Sequence, residues 1–129
     1  MAFDPRTMAQ PVYKALSELR HRTADDTRLR EQKSQAVELY TYLATWGLMR
    51  LKAEEAALSQ EGKKEVVKAF FRALEETAHV QNLADDKGLE TLKNLDTESY
   101  LGLTGLGLQI AREFSFWTTA LYVDIGNAD

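Results

Sequence analysis

Apolar residues recur at helical spacing through most of the chain, most clearly near its C-terminal end. There they follow one another at alternating steps of three and four, as Leu103, Leu106, Ile110, Phe114, Trp117 and Leu121. Residues three or four apart share one face of an α-helix, so this pattern predicts a long amphipathic helix over 96–122. Asp96 suits its N-cap, because the carboxylate can accept a hydrogen bond from an unpaired first-turn amide. We expect this helix to form the centre of the core.

Two further features of this segment bear on its neighbours. Leu101 and Leu108 lie outside the apolar stripe, so more than one side is apolar, as is typical of a helix wedged between others. Gly102, Gly105 and Gly107 would each cost roughly 0.5–1 kcal/mol relative to alanine in a helix. Such glycines indicate either close approach by a neighbouring backbone or a local irregularity, and the sequence leaves both open.

The first half of the chain predicts two helices. Pro11 would break a helix begun at Pro5, so we expect the first helix at about 11–20 and treat residues 1–9 as a candidate disordered tail. Asp26 or Thr27 can cap the second. The apolar residues at helical spacing are Val12, Leu16 and Leu19 in the first helix, and Ala36, Tyr40, Leu43 and Leu51 in the second helix. Gly47 either is tolerated within the second helix or divides it into two.

A third helix is predicted at about 63–80, followed by a short fourth helix that leads into the last one. Their apolar positions are Val67, Phe70, Phe71, Leu74 and Ala78 in the third, and Leu89, Leu92 and Leu95 in the fourth. Sustained alternation and hairpin turn dipeptides, the usual strand indicators, are missing from the sequence. The predicted fold is a single all-α domain over 1–129, a compact bundle of five to six helices with a long amphipathic C-terminal helix.

Composition removes several classes of function. The 129 residues include no cysteine, which excludes a disulfide scaffold, a thiolate zinc site and a cysteine nucleophile. The sequence contains no apolar run of about 20 residues and no signal-peptide core, so we expect a soluble, cytoplasmic protein without a membrane partner.

The net charge of −4 is unevenly distributed. Residues 1–72 hold 13 Lys and Arg against 10 Asp and Glu, whereas residues 73–129 hold 3 against 10. The first segment is therefore +3 and the second −7. This asymmetry fits a polyanion partner at one end and a basic protein partner at the other, but an ordinary solvated surface would also produce it.

A pair of Glu-x-x-His sequences resembles the ligand motif of di-iron bundles. They are formed by Glu18 with His21 and by Glu76 with His79, and Glu38 is a third candidate ligand. At about 100° per residue, these side chains point away from the apolar faces of their helices, whereas a bundle metal site needs inward ligands. We therefore predict no metal and no cofactor. Phosphate-binding loops and nucleophile elbows are also missing, so the sequence gives no reason to expect an enzyme.

Basic residues suggest a second kind of site, one that follows a phosphate backbone. The candidates for RNA binding are Arg20, Arg22, Arg28, Arg30, Lys33, Lys64, Lys68 and Arg72. Local neutralisation is the alternative, since Asp25, Asp26, Glu31 and Glu65 lie nearby in sequence or at helical spacing. Trp46 could stack on a base, or it could belong to the core or to an interface.

Several of these motifs together resemble a known family. They are Trp46-Gly47-Leu48 in a central helix, the lead-in from Leu95 to Tyr100, and the pair Phe116-Trp117 near the end of a long final helix. In this combination the chain resembles the small-subunit family of type III CRISPR effector complexes, most closely the Cmr type. Thr118-Thr119 stand where members of that family often carry Lys-Arg.

The resemblance implies a non-catalytic helical bundle that supports antiviral defence. Copies would stack head to tail as a filament beside the crRNA-bearing backbone, in contact with the other effector subunits. Basic surface residues would then line the path of crRNA and target RNA. The alternative that we retain is a helical protein–protein adaptor or regulator with no role in nucleic-acid binding.

Overall fold

Six α-helices joined by short connections make up residues 6–126, the part of the chain that the structure, a computed structural model, describes. They are α1 (Arg6–Arg22), α2 (Asp26–Trp46), α3 (Leu48–Ala57), α4 (Glu61–Ala78), α5 (Gly88–Lys93) and α6 (Thr97–Leu121). Within these residues no strand is formed. The predicted all-α bundle with a long C-terminal helix is confirmed.

Helix α6 packs against α1, α2 and α4, which places it at the centre of the bundle. Leu103, Ile110 and Phe114 of the predicted stripe are buried, and the other three stripe residues pack against the core while partly exposed. Leu108 is also partly buried, as expected of a helix enclosed on several sides. Leu101, however, is 63% exposed, so the first turns of α6 present an apolar side chain to solvent.

The aromatic centre of the core joins α4 to α6. Phe70 lies edge-on to Phe71 with ring centroids 5.1 Å apart, and to Phe114 at 5.9 Å. All three side chains are fully buried. Edge-to-face pairs at such distances contribute about 0.5–1.5 kcal/mol beyond the burial of their apolar area. These rings therefore fix how α4 lies against α6.

The three glycines of α6 have different surroundings. A Cβ atom added at Gly107 would lie 3.2 Å from Leu48 Cδ2 and 3.5 Å from Phe70 Cζ, so this position allows close packing of side chains. At Gly102 and Gly105 nothing lies within 4 Å of the added atom. The neighbours of Gly107 are side chains and not a backbone, and α6 is unbroken, so neither predicted explanation holds in its original form; Gly107 instead makes room for side chains of α2, α3 and α4.

Helix α1 begins earlier than the sequence predicts. It starts at Arg6 and contains Pro11, which we expected to begin the helix. Proline in the second turn removes a single intrahelical hydrogen bond. Packing of Met8 against the core and complete burial of Val12 offset this loss. Residues 6–9 are thus helical, while the rest of the expected tail lies outside the described residues.

The long second helix is divided at Gly47. This residue adopts φ +88° and ψ 171°, a backbone conformation that favours glycine, and α2 ends immediately before it. Its N–H donates to Leu43 O at 2.9 Å, and its carbonyl accepts from Leu51 N at 3.1 Å. The hydroxyl of Tyr100 accepts from Met49 N at 3.0 Å. Of the two alternatives for Gly47, division into two helices is therefore correct.

Aspartates cap the two longest helices. Asp25 Oδ1 accepts from Arg28 N at 3.1 Å, so the cap of α2 is Asp25 rather than the predicted Asp26 or Thr27. Asp96 Oδ1 accepts from Ser99 N at 2.7 Å and confirms the predicted cap of α6. Hydrogen bonding from Ser99 also lowers the pKa of the Asp96 carboxyl, because these bonds favour its charged form.

The remaining boundaries lie close to those expected. Helix α4 begins and ends two residues before the predicted 63–80, since His79 takes a left-handed conformation that terminates it. Helix α5 is the predicted short fourth segment. None of the helices formed by residues 6–126 combines the length and the apolar character needed to cross a bilayer.

Helices α2 and α4 approach each other closely where α4 begins. Gly62 N donates to Glu31 Oε1 at 2.9 Å, and both residues are buried. A Cβ atom added at Gly62 would lie 2.4 Å from the Arg28 carbonyl oxygen and 2.6 Å from Glu31 Cβ. Only glycine fits between α2 and α4 here.

We therefore expect Gly62→Ala to destabilise the bundle by about 1–3 kcal/mol, because α4 must move away from α2. The matched control is Gly105→Ala, where the space is open and alanine suits the helix. Gly105→Ala should stabilise the folded bundle by about 0.4–1 kcal/mol. Urea unfolding followed by far-UV circular dichroism measures both changes, and effects of the same sign would contradict the packing described.

Candidate nucleic-acid interface

The eight basic residues predicted to contact RNA lie on α1, α2 and α4, and they differ in whether they have partners in the chain. Four of them are engaged by acidic or carbonyl groups: Arg20, Arg28, Arg30 and Lys33. The other four form no ion pair within residues 6–126: Arg22, Lys64, Lys68 and Arg72. The second group is the better placed for an external anion.

The turn that follows α6 covers two of the engaged residues. Arg20 Nη2 donates to both carboxylate oxygens of Asp124, at 3.0 and 2.9 Å, and its guanidinium lies 5.3 Å from the ring centroid of Tyr122. Lys33 Nζ donates to the carbonyl oxygen of Ile125. These contacts fasten the C-terminal turn to α1 and α2, so both cations stabilise the fold.

A buried polar network lies beneath this turn, centred on Gln32, which is fully buried. Its Nε2 donates to Thr23 Oγ1 at 3.0 Å and to Glu65 Oε1 at 3.2 Å. Its Oε1 accepts from the Tyr122 hydroxyl at 2.7 Å. Burial raises the pKa of Tyr122, because the phenolate would lose its hydration. Each polar group of Gln32 is thus satisfied, and the network joins α2, α4 and the C-terminal turn.

Neutralisation by nearby acidic residues, the alternative to anion binding, applies to some of the eight basic residues. Arg28 donates twice to Glu65, once from Nε at 3.1 Å, and this pairing raises the pKa of the Arg28 guanidinium. Arg30 pairs with Asp26 at 3.1 Å on an exposed surface, where such a pair contributes little. Glu31 instead accepts from Gly62 N at the start of α4 and forms no ion pair within residues 6–126.

The unpaired cations of α4 form a row along the outside of the bundle. Lys64, Lys68 and Arg72 are spaced four residues apart and therefore occupy successive turns of one face. Lys68 and Arg72 are exposed, whereas Val67 and Phe71 beside them are fully buried. The row is displayed on a face held rigid by the core.

A groove of about 110 Å³ runs between this helix and α1. Arg72 lines it from α4, and Lys14 and Arg22 line it from α1, together with Glu18 and Glu76. The sequence-based set omitted Lys14, although its spacing of eight from Arg22 indicates that both share a face of α1. Three basic and two acidic side chains therefore meet in this groove.

The two Glu-x-x-His motifs lie on the surface. Glu18, His21, Glu76 and His79 are exposed, as is Glu38, in agreement with the directions inferred from helical geometry. Among the residues that the structure describes, no group of three His, Asp or Glu side chains is positioned to hold a metal ion. These carboxylates and imidazoles belong to the solvated helix faces.

The side chain of Trp46 is 51% exposed at the bend between α2 and α3, so it does not belong to the core. The guanidinium of Arg50 lies 3.9 Å from the centroid of its ring. Sequence reasoning singled out Trp46 and missed Arg50. The spacing of four residues would not have revealed this pair, because a helix break lies between them.

No protein family, curated protein or solved structure matches this chain. The likeness to the type III CRISPR small subunits, and the contact of all eight basic residues with RNA, therefore remain predictions. A functional interpretation depends on the surfaces described above, namely the row on α4, the groove beside it, and the exposed aromatic residues.

The Tyr122 network should produce a distinctive dependence of stability on pH. An ordinary tyrosine has a pKa of about 10, so the unfolded chain releases this proton before the folded chain does. The contribution of Tyr122 to the stability of the folded state is fully present below about pH 10. It decreases as the pH rises toward the higher folded-state pKa of this residue.

We expect Tyr122→Phe to lower the free energy of unfolding by about 1–3 kcal/mol near neutral pH, because Gln32 Oε1 loses its buried donor. Above about pH 10 the difference in free energy of unfolding between wild type and variant should narrow by up to about 1.4 kcal/mol per pH unit, because only the wild type carries the Tyr122 hydroxyl. Urea unfolding of both proteins at about pH 7, 10 and 11 measures this difference. Stability curves that stay parallel would show that the hydroxyl is not buried as described.

Proposed function

We propose that this protein is a non-catalytic structural subunit of a type III CRISPR ribonucleoprotein complex that contacts crRNA and target RNA through a basic helix face. The observation that carries the proposal is the row Lys64, Lys68 and Arg72 on α4, which forms no ion pair within the described residues. The motif resemblance of the sequence supplies the identity of the complex. The function thus proposed is binding and scaffolding in antiviral defence.

The geometry of the row suits a flexible, single-stranded polyanion. Residues four apart on a helix rise by about 6 Å, so the three cations span about 12 Å along the axis. Lys14 and Arg22 lie on the neighbouring helix across the groove and add positive charge there, which Glu18 and Glu76 offset in part. Each phosphate neutralised would release condensed counterions, which makes binding salt-dependent and insensitive to base sequence.

Self-association and contact with the other effector subunits are supported by the charge distribution. The basic row belongs to the segment of charge +3, and the segment over 73–129 carries −7. A head-to-tail stack joins two different surfaces of the same protein, so contact is favoured where acidic side chains of one copy meet the basic row of the next. This feature supports a filament of copies beside the RNA-bearing backbone of the complex.

A second candidate function, the helical adaptor, is favoured by a group of exposed rings at the outer side of α1 and α6. Tyr13 is 47% exposed and Phe116 59% exposed, and each lies edge-on to Trp117, at 5.4 and 5.1 Å. The indole N–H of Trp117 is buried and meets no acceptor among residues 6–126. Aromatic side chains of this kind are enriched at protein interfaces. A protein partner would bind here with little dependence on salt.

Reversal of charge on α4 tests the leading proposal. Lys68→Glu combined with Arg72→Glu should weaken binding to single-stranded RNA and reduce the slope of log affinity against log salt by about 1.4, for two lost phosphate contacts. The matched control is Lys87→Glu with Lys93→Glu, which changes the charge equally at exposed positions on and beside α5. Fluorescence anisotropy with the full chain measures both, and circular dichroism verifies the fold.

Equal loss of affinity in both double variants would show that only net charge matters and would contradict the assigned surface. A pull-down from the host separates the two functions. Effector subunits recovered with guide RNA would support the CRISPR assignment. A protein partner recovered without RNA, and lost on Tyr13→Ser with Phe116→Ser, would favour the adaptor.

A further inference from the structure

We infer that Trp46 and Arg50, at the bend between α2 and α3, form a stacking site for an unpaired RNA base. The inference rests on the proposed function, because it assumes that the chain meets single-stranded RNA, and it adds a site apart from the row on α4. Trp46 is the last residue of α2, and Arg50 is the third residue of α3.

The exposure of Trp46 calls for an explanation. Tryptophan has the largest apolar surface of any side chain, yet 51% of this one faces solvent. The Arg50 guanidinium lies 3.9 Å from the ring centroid, within the range of direct cation–π contact. One part of the indole is thus covered by a flat cation while the rest remains accessible. Such a surface can accept a second flat, electron-rich group.

The backbone holds this pair in place before any ligand arrives. Gly47 has φ +88° and bonds to both helices, through its N–H to Leu43 and through its carbonyl to Leu51. Tyr100, from the first turn of α6, accepts a hydrogen bond from Met49 N. The bend is therefore fixed from three helices. The backbone that carries the ring therefore needs no ordering on binding, which lowers the entropic cost.

The acidic side chains of α3 have other partners and form no ion pair with the Arg50 guanidinium. Glu55 binds Lys52 Nζ at 3.1 Å, and Glu54 Oε2 accepts from the Tyr42 hydroxyl at 3.1 Å. Arg50 also approaches this hydroxyl, and it forms no ion pair in the described part of the chain. The stack is therefore a cation next to an accessible π surface.

A nucleobase fits this combination better than a protein side chain does. Every base offers a flat π face, and proteins that bind single strands without sequence preference use aromatic stacking together with cation–π contributions from arginine. The guanidinium can also meet the phosphate of the stacked nucleotide. Tyr13, Phe116 and Trp117 differ, because within residues 6–126 no cation lies over their rings. They suit a protein surface instead.

The test compares the full-length wild type with Trp46→Ala in binding to a single-stranded RNA of mixed sequence. Loss of one stacked base should weaken affinity about 5- to 150-fold at every salt concentration. The slope of log affinity against log salt concentration should stay unchanged, since no phosphate contact is lost. Trp46→Phe should recover part of the loss, whereas Phe116→Ala, at an aromatic position that is also more than half exposed, should bind like wild type.

A spectroscopic measurement accompanies the affinities and leaves Trp46 itself unchanged. The chain has two tryptophans, so Trp117→Phe leaves Trp46 as the single indole. Its fluorescence should be quenched on addition of RNA. Unchanged fluorescence at saturating RNA would overturn the inference even if Trp46→Ala folds poorly.

The outcomes separate this inference from the proposed function. If wild type fails to bind RNA, both are wrong. If wild type binds with a salt slope that depends on Lys68 and Arg72, but Trp46→Ala binds equally well, only the stacking site is wrong. If Trp46→Ala loses a protein partner in a pull-down while RNA affinity is retained, Trp46 is a protein contact and the inference is overturned.

Discussion

Enclosure of α6 by three other helices is the constraint on which the rest of the bundle depends. Phe114 reaches Phe70 of α4, and Gly107 leaves room for Leu48 and the same phenylalanine. A Cβ atom at 107 would lie 3.2 Å from Leu48 Cδ2, so this side chain of α3 would have to shift away from α6. The bend at Gly47 is coupled to this packing, because Leu48, which meets Gly107, immediately follows it. The central helix thus determines where its neighbours lie.

Polar groups impose a second constraint at one end of the bundle. The fully buried Gln32 side chain is satisfied only if Thr23, Glu65 and Tyr122 all reach it. An unsatisfied buried polar group costs about 1–3 kcal/mol, so alternative packings of this end are disfavoured. The same end holds Arg20 and Lys33 against the C-terminal turn. Basic residues close together in sequence therefore serve two purposes, some in the fold and others on the surface.

The sequence predicts the helices well because the apolar period of α4 and α6 is regular. It fails at Pro11, where tertiary packing outweighs a local helix-breaking tendency, and at the cap of α2, where neighbouring aspartates offer equivalent oxygens. The candidate site is less predictable. Helical spacing places Lys68 and Arg72 outside, but the partners of Arg20 and Lys33 lie 104 and 92 residues further along the chain. No local pattern contains that information.

The order in which the chain is synthesised gives the position of α6 a further meaning. It is the last of the six helices to leave the ribosome, yet it contacts α1, the first. Until it emerges, the apolar faces of α1, α2 and α4 lack their common partner, and contacts between distant parts of a chain form late in folding. The nascent chain therefore exposes the parts of these faces that α6 covers until α6 has been synthesised. Such a chain depends on charged helix faces, or on chaperones, to avoid aggregation before its core can close.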